Sequence, residues 1–500
     1  MVSGSEIEMF LEREPKFDDI MCSLQATSKQ PKGIIKETKK VVALARKFND
    51  EVVRPYSLEL DKTVQEDPEF LAWDFVKKAN EWGFYTLWIP KIFGGKGYCM
   101  SSMSFFVEEI ASACLGMANL IGVHYLGVAT LSATWNARLI NKLSRETVEG
   151  ERKGNPCLIS LAITEPGAGT DVEEVDLVDK GDVTCYAEKV DGGYVVNGRK
   201  VFISNGHLST WHILIAYSDL KNPSENTVVL AVKNGTKGFS FGRKERKMGQ
   251  KGCPASELIF EDCFIPEENV CIDPDQYGTL SRSAKETAMQ VIDYVVSGTR
   301  AGVGAFGTGV ARGAFEEALK FALETEVKGK LLINHEWAQT MLAEMYKNVA
   351  VSRLAYAETN YANGMYGFYK TLQWKPTYYY TRCLPRFIAD KVISPWLDKP
   401  RATSLMRKMS LDGQTDSEIH RTSGWASLAK FVGTDAGVKN CQMALEIMGQ
   451  AGLRHDRRAE KCLRDSKLLQ IYEGTNQLNR LNLFKCLIGR SYPQVAVFQE

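Results

Sequence analysis

From Ile34 onward, apolar positions recur at helical spacing. Val41, Leu44 or Ala45, Phe48 and Val52 share one face, and Pro55 is expected to stop the run. The segment from Glu66 to Trp82 repeats the period, and a Gly-rich turn follows at 93–97. A long Ala/Ser-rich apolar stretch over 103–135 then has the length and small residues of buried, closely packed helices. The pattern changes near Pro156. Short β-rich runs appear at 158–163, 194–196, 201–203, 211–216, 228–232 and 258–260. The turn signals Asp191-Gly192-Gly193, Asn197-Gly198, Asn205-Gly206 and Asn234-Gly235 separate them. This predicts a compact antiparallel β domain. After about Tyr277 the helical period returns and holds nearly to the end.

The chain therefore reads as α+β. We expect a polar extension over 1–36, an N-terminal helical domain over 37–156, a middle β domain over 157–278 and a C-terminal helical bundle over 279–500. An insertion at about 366–413 interrupts the bundle.

Composition narrows the function classes. Sixty-two Lys and Arg against 61 Asp and Glu leave no basic excess of the kind a nucleic-acid binder carries. The 12 cysteines are scattered with no C-x-x-C pair, and only six histidines occur, so no metal site is expected. The first residues are acidic and lack an apolar core, which disfavours a secretory or mitochondrial leader. No stretch approaches the ~18 uninterrupted apolar residues of a membrane helix. The expectation is a cytoplasmic protein without a membrane span.

Three segments carry candidate chemistry. In 161–171 a strand, Leu161-Ala162-Ile163-Thr164, ends in Glu165-Pro166-Gly167-Ala168-Gly169-Thr170-Asp171. That turn offers hydroxyls and exposed amides to a polar planar ligand, although Pro-Gly-Ala-Gly also makes an ordinary loop. In 197–206, Phe202 and Ser204 flank Ile203 two residues apart on one strand, so they should project to the same face. Phe202 could cover a ring while Ser204 bonds its edge; a half-buried strand between turns reads equally well. In 465–480, Ile471-Tyr472-Glu473-Gly474-Thr475-Asn476-Gln477 puts a carboxylate at the break after an apolar helical run. Beside an apolar pocket, desolvation would raise Glu473 toward the range of a general base; a solvated helix-end glutamate is the bland alternative.

Taken together and in this order, the three segments resemble the signature stretches of the acyl-CoA dehydrogenase family. Further matches are 248–252, 260–262, 265–269 and 329–332, and the resemblance covers about residues 37 to 490. It implies a helical domain, a β-barrel and a helical bundle, with the flavin of FAD between barrel and bundle. On this resemblance Leu161, Ala162, Ile163 and Thr164 line the isoalloxazine. Phe202, where a tryptophan is usual, would cover one ring face; Ser204 stands where a threonine hydroxyl bonds near flavin N5, and Ile203 between them is counted among the cofactor contacts. Thr475, Asn476 and Gln477 match cofactor contacts, while Thr170 and Arg300 match the CoA side. Glu473 becomes the base that takes the α-proton of an acyl-CoA thioester while a β-hydride passes to flavin N5, giving a 2-enoyl-CoA. An electron-transfer flavoprotein is the implied acceptor, and a homo-oligomer, dimer or tetramer, the implied assembly. An acyl-CoA oxidase and a flavin-free acyl-CoA-binding pseudoenzyme are the competing readings.

The sequence departs from the family pattern at the far end of FAD. Thr325 stands in place of an arginine, Lys328 of a phenylalanine, Glu336 of a glutamine beside the retained His335, and Gly449-Gln450 in place of paired glycines. The insertion is aromatic and basic, with Trp374, Tyr378, Tyr379 and Tyr380 among Lys370, Lys375, Arg382, Arg386, Arg407 and Lys408. Extra packing or subunit contacts are expected of it, with a CoA or electron-carrier contact next. Gly302, Gly304 and Gly307 fit G-x-G-x-x-G, but no second strand follows, so they should permit close helix packing. An apolar acyl pocket is expected from helices around Phe105 to Leu131 and after Arg300, with no arginine for a distal carboxylate.

Overall fold

The structure is a computed structural model that describes residues 21–492 and 494–498. Most of the predicted extension, residues 1–20, lies outside the described residues, and the rest opens with the helix Cys22–Lys29. Helix Gly33–Phe48 buries Val41, Ala45 and Phe48, the face predicted by spacing. Pro55 does not stop the chain. The helical path continues through a π-turn at Asn49–Val53 into Arg54–Glu66, and Pro55 occupies the first turn, where its missing N–H is not needed. The second predicted run begins at the last residue of that helix and becomes helical again over Trp73–Glu81.

The apolar 103–135 stretch forms two helices, Ser102–Ala113 and Leu115–Ala133, broken at Cys114. By length and composition Leu115–Ala133 could cross a membrane, but most of it is buried inside the protein. It is a core helix, apolar all round because neighbours cover every face.

Eight strands make the middle sheet: β1 Ile159–Ala162, β2 Tyr186–Val190, β3 Gly193–Ser204, β4 Trp211–Tyr217, β5 Thr227–Lys233, β6 Phe239–Lys244, β7 Ala255–Pro266 and β8 Val270–Ile272. The order is β6-β7-β3-β2-β4-β5-β8, with β1 also on β4. Most pairings are antiparallel as expected, but β4 takes β1 and β2 in parallel, so the sheet is mixed. It is also an open path with β6 and β8 at its edges rather than a closed ring.

Strand β4 is buried on both faces. Trp211, Ile213 and Ile215 pack with Leu131, Leu139 and Leu143 of the first helices, while Leu214 and Ala216 face the sheet's own core with Val228 and Leu230. This explains its continuous apolar run. Asn197-Gly198 is not a turn: β3 runs through it with a bulge. Gly198 has φ +141°, and a Cβ there would sit 2.7 Å from the Cys185 Cα.

Helices Ala284–Glu324, Glu336–Met365 and Asp416–Met448 form the bundle, and the first and last of these open on capping boxes at Ser283/Glu286 and Thr415/Glu418. The G-x-G-x-x-G run lies inside Ala284–Glu324. A Cβ on Gly304 would meet the Ala429 carbonyl at 2.5 Å, and one on Gly307 the Gly433 carbonyl at 2.3 Å, so these glycines let the helices touch. The insertion folds onto its own chain. Arg382 Nε and Nη2 donate to Glu37 at 2.7 and 2.8 Å, and Arg407 is buried, donating to the Thr134 and Cys271 carbonyls.

Candidate active site

One cavity collects segments far apart in sequence. The end of β1 contributes Leu161, Ile163 and Thr164; the end of β3 contributes Phe202, Ile203 and Ser204; the turn after helix Arg458–Leu469 contributes Tyr472 and Glu473. Two backbone features aim the strand ends. The Val201 amide donates to the Thr164 carbonyl at 2.9 Å, tying β1 to β3. A second bulge in β3, between Lys200 and Ile203, carries Phe202 at φ +60°. Simple alternation would send Ile203 away from the face of Phe202 and Ser204; the bulge lets all three line the cavity. Phe202 remains 56% exposed.

Beneath the strands lies a buried ion pair. Lys200 Nζ donates to Glu165 Oε1 at 2.7 Å and to the Ile163 carbonyl at 2.9 Å, and both charged side chains are 0% exposed. Glu165 Oε2 accepts from the Thr184 and Cys185 amides. The pair holds the Gly-rich turn against β3.

Glu473 has φ +57° and Gly474 +74°. A left-handed glutamate costs about 1–3 kcal/mol and persists only where its surroundings over-determine it. Here they do. The Asn476 amide donates back to the Gln470 carbonyl at 3.1 Å. Arg300 Nε donates to the Glu473 carbonyl at 3.2 Å, and Lys430 Nζ to the Gly474 carbonyl at 2.7 Å. The carboxylate itself accepts from Thr299 Oγ1 at 2.8 Å. Burial pushes Glu473 above the usual carboxylate range, against the opposing pull of Thr299, Arg300 and Lys430. Burial, then the Arg300 charge, pushes Lys430 down to about 7.

Glu173 also lines the cavity. Its Oε2 is buried without a hydrogen-bond partner, 3.9 Å from Arg300 Nη2. Burial and then the neighbouring Glu473 charge push it up.

The remaining expected site residues are placed elsewhere. Ala162 is fully buried on the opposite face of β1, in the sheet's core, because alternation turns it away from Leu161 and Ile163. Thr170 opens a 3₁₀ turn and does not line the cavity. Arg300 sits behind the Glu473 turn, 2% exposed. Thr475 caps helix Asn476–Leu483, accepting from the Leu478 amide. Asn476 is held by Lys430, Thr434 and Asp435, and Gln477 is exposed. Thr325, Lys328, Glu336 and Gln450 do not line the cavity; Lys328 is exposed at φ +52° between two short strands, Glu326–Val327 and Lys330–Leu331.

Sequence reasoning missed Glu173, Thr299 and Lys430. Thr299 adjoins the noted Arg300, but nothing local marks the other two as neighbours of Glu473. The apolar wall comes from helices Ser102–Ala113 and Leu115–Ala133, as expected. It also includes Val291, Val295 and Val296 before Arg300, not only residues after it, and Phe368 and Tyr369 from the insertion.

The unfilled hydrogen-bonding capacity suits a flat heteroaromatic ring. Thr164 and Ser204 present hydroxyls at the cavity, and Phe202 offers an open aromatic face. These residues fit a flavin ring.

Comparison with known proteins agrees with this geometry. Family models described as acyl-CoA dehydrogenase N-terminal, middle and C-terminal domains match residues 36–151, 160–263, and 289–363 with 403–488. The break in the last match, 364–402, overlaps most of the insertion. A probable medium-chain specific acyl-CoA dehydrogenase 2, mitochondrial, of Caenorhabditis briggsae is 27% identical over 473 residues, covering 93% of this chain and 94% of the relative. Butyryl-CoA dehydrogenase from Megasphaera elsdenii has the same fold, with TM-score 0.69 and 22% identity over 90% of this chain and 98% of its own. A structure reported for the electron transferring flavoprotein of Acidaminococcus fermentans matches with TM-score 0.69 and 23% identity, over 91% of this chain and 98% of that one.

Proposed function

This chain belongs to the acyl-CoA dehydrogenase family of FAD-dependent oxidoreductases acting on CH–CH bonds, and from that premise we propose that it oxidises an acyl-CoA to a 2-enoyl-CoA with Glu473 as the base. The observation that carries this reading is a half-buried carboxylate, held on a strained turn, lining the same cavity as the Thr164 and Ser204 hydroxyls. FAD, when bound, supplies the two-electron acceptor for the β-hydride.

The chain's own residues do the rest. The apolar wall excludes water, so the thioester meets an undiluted electrostatic environment. The Glu473 amide donates to no protein acceptor among the described residues and is free for the thioester oxygen, where charge develops as the α-proton leaves. Glu473 takes that proton. Its raised affinity for protons strengthens it as a base, while Thr299, Arg300 and Lys430 keep the ionised form accessible. Lys430 and Arg300 act through the backbone carbonyls of the turn, fixing where the carboxylate points.

The lining offers no cation to a distal carboxylate, which supports an uncharged acyl group. The Acidaminococcus likeness favours an electron-transfer flavoprotein as acceptor, and we place the chain in a homo-oligomer on the family pattern.

Anaerobic bleaching of the yellow enzyme by acyl-CoA thioesters tests the proposal. Glu473→Gln should retain flavin and bleach about 10²–10⁴-fold more slowly. Bleaching at the parent rate would remove Glu473 from the role.

A further inference from the structure

The insertion does more than pack: it delivers Phe368 and Tyr369 into the cavity wall opposite the strands. Tyr369 is 4% exposed and packed with Phe368, Ala129, Val291, Val295 and Leu411. Its backbone is fixed, the amide donating to the Asn363 carbonyl and the carbonyl accepting from Gln373. Its hydroxyl, by contrast, has no hydrogen-bond partner among the described residues. Burial alone accounts for the upward push on the phenol, with no charge or hydrogen bond contributing.

Other polar groups on this wall spend their donors inside the protein. Ser104 donates to Asn360, Asn119 to Gln250, and Thr130 to the Leu126 carbonyl. Gly298 keeps the phenol open to the cavity: a Cβ there would lie 3.3 Å from the Tyr369 Oη. Gly298 immediately precedes Thr299, which bonds Glu473. A hydroxyl with no protein partner among the described residues, open to the cavity, is therefore held beside the Gly298–Thr299 stretch.

We propose that Tyr369 is a specificity-determining residue whose hydroxyl hydrogen-bonds an oxygen on the acyl chain, so that the site prefers hydroxy- or oxo-substituted acyl-CoAs to plain alkyl ones of equal length. The physical reason is asymmetric. An alkyl chain filling the cavity would strip water from the phenol and leave it unpaired, whereas an acyl oxygen would restore what water supplied. The preference rests on the reading of this cavity as an acyl-thioester site.

The test pairs straight-chain acyl-CoAs with their ω-hydroxy and ω-oxo counterparts of equal length, on the FAD-loaded protein and its Tyr369→Phe variant. Two readouts are taken: the dissociation constant from the flavin spectral shift, and kcat/KM for anaerobic bleaching. Because the hydroxyl bonds nothing among the described residues, Tyr369→Phe should fold and melt like the parent. For at least one pair, the parent should favour the oxygenated ligand by about tenfold, and the variant should erase that ratio while binding the alkyl partner as well or better. A parent that binds every pair equally, or a variant that loses both partners alike, overturns the proposal. Failure of the base assignment would look different: Glu473→Gln would bleach at the parent rate whatever the acyl group.

Discussion

The ion pair Lys200–Glu165 provides a sharp test of how the fold holds its site. Lys200→Met removes the only cation among the described residues that bonds Glu165 and leaves a carboxylate that is 0% exposed. The Thr184 and Cys185 amides still solvate one oxygen, at 2.5 and 2.9 Å, but the other loses its 2.7 Å partner. Breaking one side of such a pair costs about 3–5 kcal/mol, because the remaining charge stays buried. The Ile163 carbonyl loses its 2.9 Å donor too, so the segment carrying Thr164 loosens against β3. Urea unfolding should show the loss, and FAD retention should fall with it. Adding Glu165→Gln removes the orphan charge and keeps an acceptor for the two amides. The double variant should therefore recover about 1–3 kcal/mol relative to Lys200→Met. A Lys200→Met variant within about 1 kcal/mol of the parent, or strict additivity of the two substitutions, would refute the reasoning.

Two further outcomes follow from single positions. Gly474→Ala puts a Cβ at φ +74°, 2.7 Å from Leu478 Cδ2, 3.2 Å from Glu173 Oε2 and 3.3 Å from Arg300 Nη2. It should cost about 1–2 kcal/mol in thermal unfolding and, by moving Glu473, slow bleaching more than tenfold. Asp293 is pushed up to about 6 from 3.8, first by burial and then by the Glu174 charge. Since the folded state holds this proton more tightly, its stabilising contribution is complete below pH 3.8 and is lost as pH rises through about 6. Asp293→Asn should thus raise the melting temperature, relative to the parent, more at about pH 7.5 than at about pH 4.5; an equal effect at both would exclude the titration.

Local order was legible wherever one face or one turn decided it. The Val41/Ala45/Phe48 face, the β4 and β5 runs and the three-part organisation follow from period and burial alone. Legibility failed where backbone behaviour depends on a partner. Asn197-Gly198 reads as a turn, but pairing with β7 carries the strand through it as a bulge. Pro55 reads as a stop, yet it is harmless where a new helix begins. The parallel joints of β1 and β2 to β4 leave no local signature, because pairing direction is a property of two strands.

The site divides in the same way. Glu473 could be nominated from sequence because a carboxylate before a glycine, after an apolar run and inside a family signature, is a local fact. The same signature nominated Thr164, Phe202 and Ser204, which do meet Glu473 at one cavity. What the tertiary structure alone decided is the company these residues keep. Glu173, Thr299, Lys430 and Tyr369 come from four separate stretches, and only packing sets Thr299 against the carboxylate and turns the Tyr369 ring to the cavity. Chemistry type is carried by residue identity, which a sequence displays. Proton affinity and substrate preference arise from desolvation and from groups left without partners, and those exist only once distant segments have buried one another.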